Sequence, residues 1–345
     1  MAARSAGHRK RGGRPLTSFR VNIRQNTLTA PHVSGPLVNP IVRSGADPWV
    51  VLWRGEYLYC RVAAGNRVTV SRARRLRDIG VAEPSVVWTP PRDTPYSEHV
   101  WAPELHRLGG RWYVYFAADD GSNANHRMYA LVGEADDPQG PFAFRGKVAD
   151  PSDQWAIDGT VLPLDDGSCY FVWSGWEGAD NVRQNIYIAP MNDPLKISGA
   201  RACISTPRHA WERVGTPHVN EGPQVLRRGG RLFIIYSASG SWTDDYCLGQ
   251  LAYAGGDLCR PESWLKKPVP VFSKTGEVFG PGHACFVRSA DGAEDWVVYH
   301  AARFSGAGWD RDVRAQRFAW HADGSPDFGR PVPPGVPLRP PSGDP

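Results

Sequence analysis

Along the chain, short apolar runs alternate with polar residues at a period of two and are cut by glycine turns. WVVLWRGEYLYC (49–60) sets one such run on each side of Arg-Gly. WAPELHRLGGRWYVYF (101–116), DGTVLPLDDGSCYFVW (158–173), NEGPQVLRRGGRLFIIYSA (220–238) and HACFVRSADGAEDWVVYH (283–300) repeat the arrangement. A period of two places successive side chains on opposite faces of a strand, and a glycine between two such runs supplies the turn of a hairpin. The pattern predicts five hairpins, with RMYALVGEA (127–135) and NIYIAPM (185–191) as examples of further, outer strands.

Each hairpin opens on a polar or aromatic residue: Asp47, Trp101, Asp158, Glu221 and His283. A glycine follows each after eight or nine positions, at Gly55, Gly109, Gly167, Gly229 and Gly292. The openings are 54, 57, 63 and 62 residues apart, about the length of a four-stranded blade and its loop, so the chain predicts an all-β, five-bladed β-propeller over residues 37–330. The composition agrees, with 14 Trp, 12 Tyr and 12 Phe for strands and 37 Gly and 31 Pro for turns. Residues 1–36 read as a basic, disordered leader with a lead-in segment, and the Pro-rich residues 331–345 as a C-terminal tail, either a surface strap or disordered.

Innermost strands of a propeller surround a channel, so matched openings face one axis. Three carboxylates, an indole and an imidazole would meet there. Carboxylates that crowd together cannot all ionise, and at least one keeps its proton near neutral pH. Glycoside hydrolysis uses that inequality: one acid protonates the leaving oxygen while an ionised partner activates water or attacks the sugar carbon. Trp101 would stack on a sugar face.

Charge removes some alternatives. The net charge of +5 comes from the first twenty residues, which hold six Lys or Arg and no acid; subtracting these six from 40 leaves 34 basic against 35 acidic side chains. The body has no basic footprint for nucleic acid, and no apolar run is long enough to span a membrane. Residues 1–30 contain no apolar core of a secretory signal, from which a cytoplasmic protein is expected. The six cysteines show no metal spacing, and free thiols are expected. No GxGxxG, P-loop, GxSxG, HExxH or EF-hand pattern occurs, so no cofactor is expected to be required.

The motifs GADPWV (45–50), VWAPELH (100–106), AIDGTVL (156–162), VNEGPQVL (219–226), YSASGSWTDDYCLG (236–249) and GPGHACF (280–286) run in the order found in glycoside hydrolase family 43, and the chain resembles that family over nearly its whole length. The resemblance implies an inverting enzyme on a five-bladed propeller. By position it makes Asp47 the general base, Glu221 the general acid and Asp158 the residue that tunes and orients the acid. It places His283 at the channel floor, where a structural Ca²⁺ or a water is held in some members, and matches Arg314, in RDVRAQRF, to an arginine that contacts sugar hydroxyls. The DPWVV stretch, where xylosidase-like members read DPS, points to the α-L-arabinofuranosidase branch. The expected activity is release of terminal α-L-arabinofuranosyl units from arabino-oligosaccharides or arabinan, with β-xylosidase or endo-arabinanase as alternatives and a non-catalytic sugar-binding propeller as the alternative of another class.

Overall fold

The protein was analysed as a computed structural model that describes residues 35–345. The basic leader anticipated in the first 36 residues falls almost wholly outside the described residues. Among the described residues the regular elements are strands, apart from four three-residue 3-10 turns. No helix among the described residues is long and apolar enough to cross a membrane.

Five antiparallel units follow in chain order, four strands each except blade three, where Lys196–Ile197 and Ala202–Ser205 both pair with Arg183–Asp193. Blade one begins at Trp49–Trp53, blade two at Glu98–Leu108, blade three at Ala156–Pro163, blade four at His218–Arg228 and blade five at Phe279–Arg288. Blades three and four are also joined by a short parallel pairing, Arg183 with His218 and Gln184 with Val219.

Five hydrophobic clusters lie between these blades, one for each neighbouring pair, including blades five and one. Such a set closes the ring. It also explains why runs such as EYLYC are apolar on both faces. Tyr57 and Tyr59 pack toward blade five, while Leu58 and Cys60, pointing the other way, pack toward blade two. Phe233 and Ile235 likewise face blade five, and Ile234 and Tyr236 face blade three. Each fully buried side chain of this size contributes roughly 1.5–3 kcal/mol of transfer free energy.

The chain's early segment completes the last blade. Ile41 and Val42 donate to the Val313 carbonyl at 2.9 and 3.2 Å, and Val313 returns a bond to Val42 at 2.9 Å. The Asn39 amide donates to Ala315 O and accepts from Ala315 N, both at 2.9 Å, as a backbone unit would. Residues 331–345 form a strap from blade five to blade one. Pro337–Leu338 pairs with Leu37–Val38, and Asp344 accepts from Tyr57 Oη at 2.9 Å and Leu76 N at 3.1 Å. All six cysteines are free thiols.

Candidate active site

One residue at or just before each innermost strand adopts a left-handed backbone: Asp47 (φ 47°), Ala102 (φ 42°), Asp158 (φ 55°), Gly222 (φ 53°) and His283 (φ 45°). In blades two to five the strand register shifts around it. Side chains other than glycine are uncommon in this conformation and are held there by surrounding structure, often at functional sites. The geometry corrects the register expected from sequence. Asp47, Asp158 and His283 are themselves the left-handed residue, whereas Trp101 and Glu221 stand one residue before it, ahead of Ala102 and Gly222. The bulge, rather than strict alternation, aims the five side chains.

Asp47 anchors the cluster. Its Oδ1 lies 3.2 Å from His283 Nδ1, 3.2 Å from His300 Nδ1 and 3.6 Å from Arg311 Nη1. Arg311 Nη1 is also 3.1 Å from His300 Nε2. A guanidinium only donates, so Nε2 accepts and the ring proton sits on Nδ1, facing the Asp47 carboxylate. The other tautomer, in which Nδ1 accepts the Asp47 N–H at 3.1 Å, would set Nε2–H against the guanidinium and a lone pair against the carboxylate. Burial, reinforced by the charge of Arg311, pushes His300 down to about 3, so it stays neutral. Burial alone would raise the Asp47 pKa; His283, Arg311 and His300 outweigh it and hold the carboxyl well below the usual range. His283 is itself shifted down by burial, against the pull of Asp47 and Glu104.

The other two carboxyls behave oppositely. Glu221 is raised to about 7, mainly by burial and further by Asp47, while a 2.9 Å bond donated by Tyr246 Oη restrains the rise. Asp158 is raised by burial, by Glu221 and by Asp47, although its Oδ2 accepts Gly222 N–H at 3.0 Å. It lies 4.0 Å from His283 Nδ1. At neutral pH Asp47 is thus ionised, and the Asp158–Glu221 pair keeps at least one proton. A fixed carboxylate beside a protonated acid can perform general base and general acid chemistry on one bound substrate.

A cleft of about 170 Å³ opens over Asp47, lined also by Ala46, Tyr59, Arg61, Trp101 and Pro103. Trp101 is 38% exposed, and its ring stacks on buried His126 with centroids 4.0 Å apart. His126 in turn meets Asp119 at 2.8 Å, so the indole presents a fixed face.

Arg314 lies elsewhere. It is fully buried and its Nε donates to Asp312 at 2.6 Å. Along a strand, positions three apart face opposite sides, and the arginine brought to Asp47 is Arg311. Sequence reasoning missed Arg311, His300 and Tyr246 because they come from the second and third strands of their blades or, for Tyr246, the loop between them, where nothing repeats to mark them. It also missed Glu104, a buried fourth carboxylate two residues past the bulge of blade two, although the WAPELH motif contains it. Glu104 Oε2 meets His106 Nε2 at 2.8 Å, and its Oε1 accepts a short bond from Gln224.

The side chains near His283 offer few free oxygens to the structural Ca²⁺ that the resemblance implies. Calcium takes six to eight oxygen ligands, and the Glu104 carboxylate is already engaged by two donors. Among the described residues no group of three or more His, Cys, Asp or Glu side chains is disposed to hold a metal ion.

Comparison with known proteins places these features in a family. Residues 37–326 match the model of Glycosyl hydrolases family 43. An extracellular exo-alpha-(1->5)-L-arabinofuranosidase of Streptomyces avermitilis is 37% identical over 333 residues, covering 90% of this chain and 68% of its own length. One from Streptomyces chartreusis is 38% identical over 277 residues, covering 78% and 83%. Among solved structures, an alpha-L-arabinofuranosidase from Lactobacillus brevis matches with a TM-score of 0.81 at 34% identity, over 87% of this chain and 98% of that one. The expectation of a cytoplasmic protein is corrected by these relatives, since both Streptomyces proteins are named extracellular. That expectation rested on a missing apolar leader core, and a missing signal carries no information about compartment.

Proposed function

The chain belongs to glycoside hydrolase family 43, and from that premise we propose that it is an inverting, exo-acting α-L-arabinofuranosidase. Asp47 serves as general base and draws a proton from water as the oxygen attacks the anomeric carbon. Glu221 serves as general acid and delivers its proton to the departing oxygen. Asp158 tunes Glu221 and orients the sugar. His283 holds Asp47 in place, and Trp101 stacks on the terminal ring. The buried Tyr59 hydroxyl has no partner within the protein and lines the same cleft, where it would meet a sugar hydroxyl.

The observation that carries this reading is the opposite protonation of Asp47 and Glu221 in one site. The small cleft favours one terminal unit over an internal segment of a polymer, and the relatives named arabinofuranosidases span most of the chain. An inverting pair must admit a water between base and sugar, which asks for a separation of about 6.5–9.5 Å.

The test is hydrolysis of aryl α-L-arabinofuranoside and aryl β-xyloside, with the first-formed sugar followed by NMR. Turnover of the arabinoside with an initial β-arabinofuranose signal is expected. An initial α signal means retention and removes the mechanism, and preference for the xyloside moves the enzyme to the β-xylosidase reading.

A further inference from the structure

Two loops carry a feature that the chemistry above does not use. Residues 239–246 link the second and third strands of blade four, and residues 303–310 do so in blade five. The pairings Asn220 with Ala238 and Phe279 with Ala302 put both loops at the end of the blades where the innermost strands begin, the end that holds Asp47 and Glu221. The second loop exposes Phe304 by 59% and Trp309 by 66%. With Trp101 they are the only aromatics among the large exposed hydrophobics of the described residues, the others being valines and one leucine. Single exposed apolar residues need no explanation. Two aromatics on one loop, at the end of the blades that holds Asp47 and Glu221, do.

The loops are also built to hold still. Trp309 Nε1 donates to Ser241 Oγ at 3.2 Å, and Trp242 meets the indole edge-on at 6.1 Å. Trp242 is itself wedged so closely that a Cβ on Gly240 would come within 2.6 Å of its ring. Asp244 clasps the neighbouring loop, accepting from Ser305 Oγ at 2.6 Å and Gly306 N at 2.9 Å. Each loop then runs directly into the reacting centre. Tyr246 holds Glu221, and Arg311 lies against Asp47 and His300.

We infer that Trp309, supported by Phe304, is a binding platform for the pentosyl unit on the leaving side of the scissile bond. The side follows from the acid. Glu221 protonates the departing oxygen, so the departing sugar lies toward Glu221 and Tyr246, from which the first loop rises. Trp101 shares the cleft over Asp47 and serves the unit being released. An aromatic ring fixed at its polar N–H and bare on its face suits the C–H face of a sugar. The inference rests on the proposed pentose-releasing activity, and it adds a subsite that makes an oligosaccharide a better ligand than a single sugar.

The test uses the full chain with Glu221→Gln, which slows turnover, titrated calorimetrically with α-1,5-arabinotriose and with free arabinose. Adding Trp309→Ala is expected to weaken the trisaccharide at least tenfold and arabinose by much less. Phe304→Ala should act in the same direction with a smaller effect. Equal weakening of both ligands, or none, overturns the platform. The same titration with β-1,4-xylotriose separates this inference from the arabinose reading. Loss that Trp309→Ala causes only for the xylan fragment keeps the platform and removes the arabinose specificity. A protein that binds neither trisaccharide overturns the platform outright.

Discussion

Arg311 fixes the tautomer of His300. Its guanidinium donates to Nε2 at 3.1 Å, which leaves the ring proton on Nδ1, 3.2 Å from Asp47 Oδ1. Asp47 therefore accepts from a neutral donor held in position by a permanent cation. His283 and Arg311 add the charge interactions that keep it ionised.

Arg311→Met should release both effects. Asp47 loses a charge that lowers its pKa, so the acid limb of kcat/KM moves to higher pH, and kcat at neutral pH falls about tenfold or more. A pH–rate profile whose acid limb does not move would show that Arg311 leaves the base untouched.

Substitutions at the two proposed catalytic carboxyls should differ in kind. Asp47→Asn removes the group that activates water and is expected to cost on the order of 10²–10⁴-fold with every substrate. Glu221→Gln should cost least where the leaving group is a good aryloxide, which needs little protonation, and most with an alkyl glycoside. Parallel losses across a leaving-group series would separate Glu221 from the acid role.

The alkaline limb should report Glu221. Activity needs its protonated form, so kcat/KM falls as pH rises through about 7. Tyr246 donates to that carboxylate and lowers its pKa. Tyr246→Phe should therefore shift the alkaline limb upward while kcat drops from poorer positioning. A downward shift contradicts this assignment.

Stability carries the same signature. The folded pKa of Glu221 is raised above its ordinary value, so its contribution is complete below about pH 4, where even an unperturbed carboxyl binds its proton. That contribution is lost as pH rises through about 7. Melting temperature should decline between pH 5 and 8, and Glu221→Gln should flatten the decline. An unchanged slope in the variant would place the linkage elsewhere.

Arg314 should behave as a structural residue. It is buried against Asp312, and removing one member of a buried pair leaves an uncompensated charge. Arg314→Met is expected to destabilise the fold by about 3–5 kcal/mol, measured by denaturant unfolding, with the pH profile of the surviving activity unchanged.

The blades were legible because each hairpin spells its own period and turn, and because both faces of EYLYC or RLFIIYS are apolar. The three carboxylates and His283 were legible because they sit near one position of a repeat. Their register was readable only to within a residue. The left-handed position has no residue signature of its own, being Asp in two blades and Ala, Gly and His in the other three. Tyr246, His300 and Arg311 were hidden, since they reach the site from strands, or for Tyr246 a loop, whose inward positions differ from blade to blade. Arg314 misled because RDVRAQRF offers three arginines, and only strand pairing shows which one turns inward.

The closure between Val42 and Val313 also orders the enzyme in time. Asp47 lies five residues beyond the closing bond, but His283, His300 and Arg311, which hold it, follow only after the four preceding blades. A chain with only its first four blades formed carries all three carboxylates but lacks every group that holds Asp47, so the proposed base is set only when the circle joins.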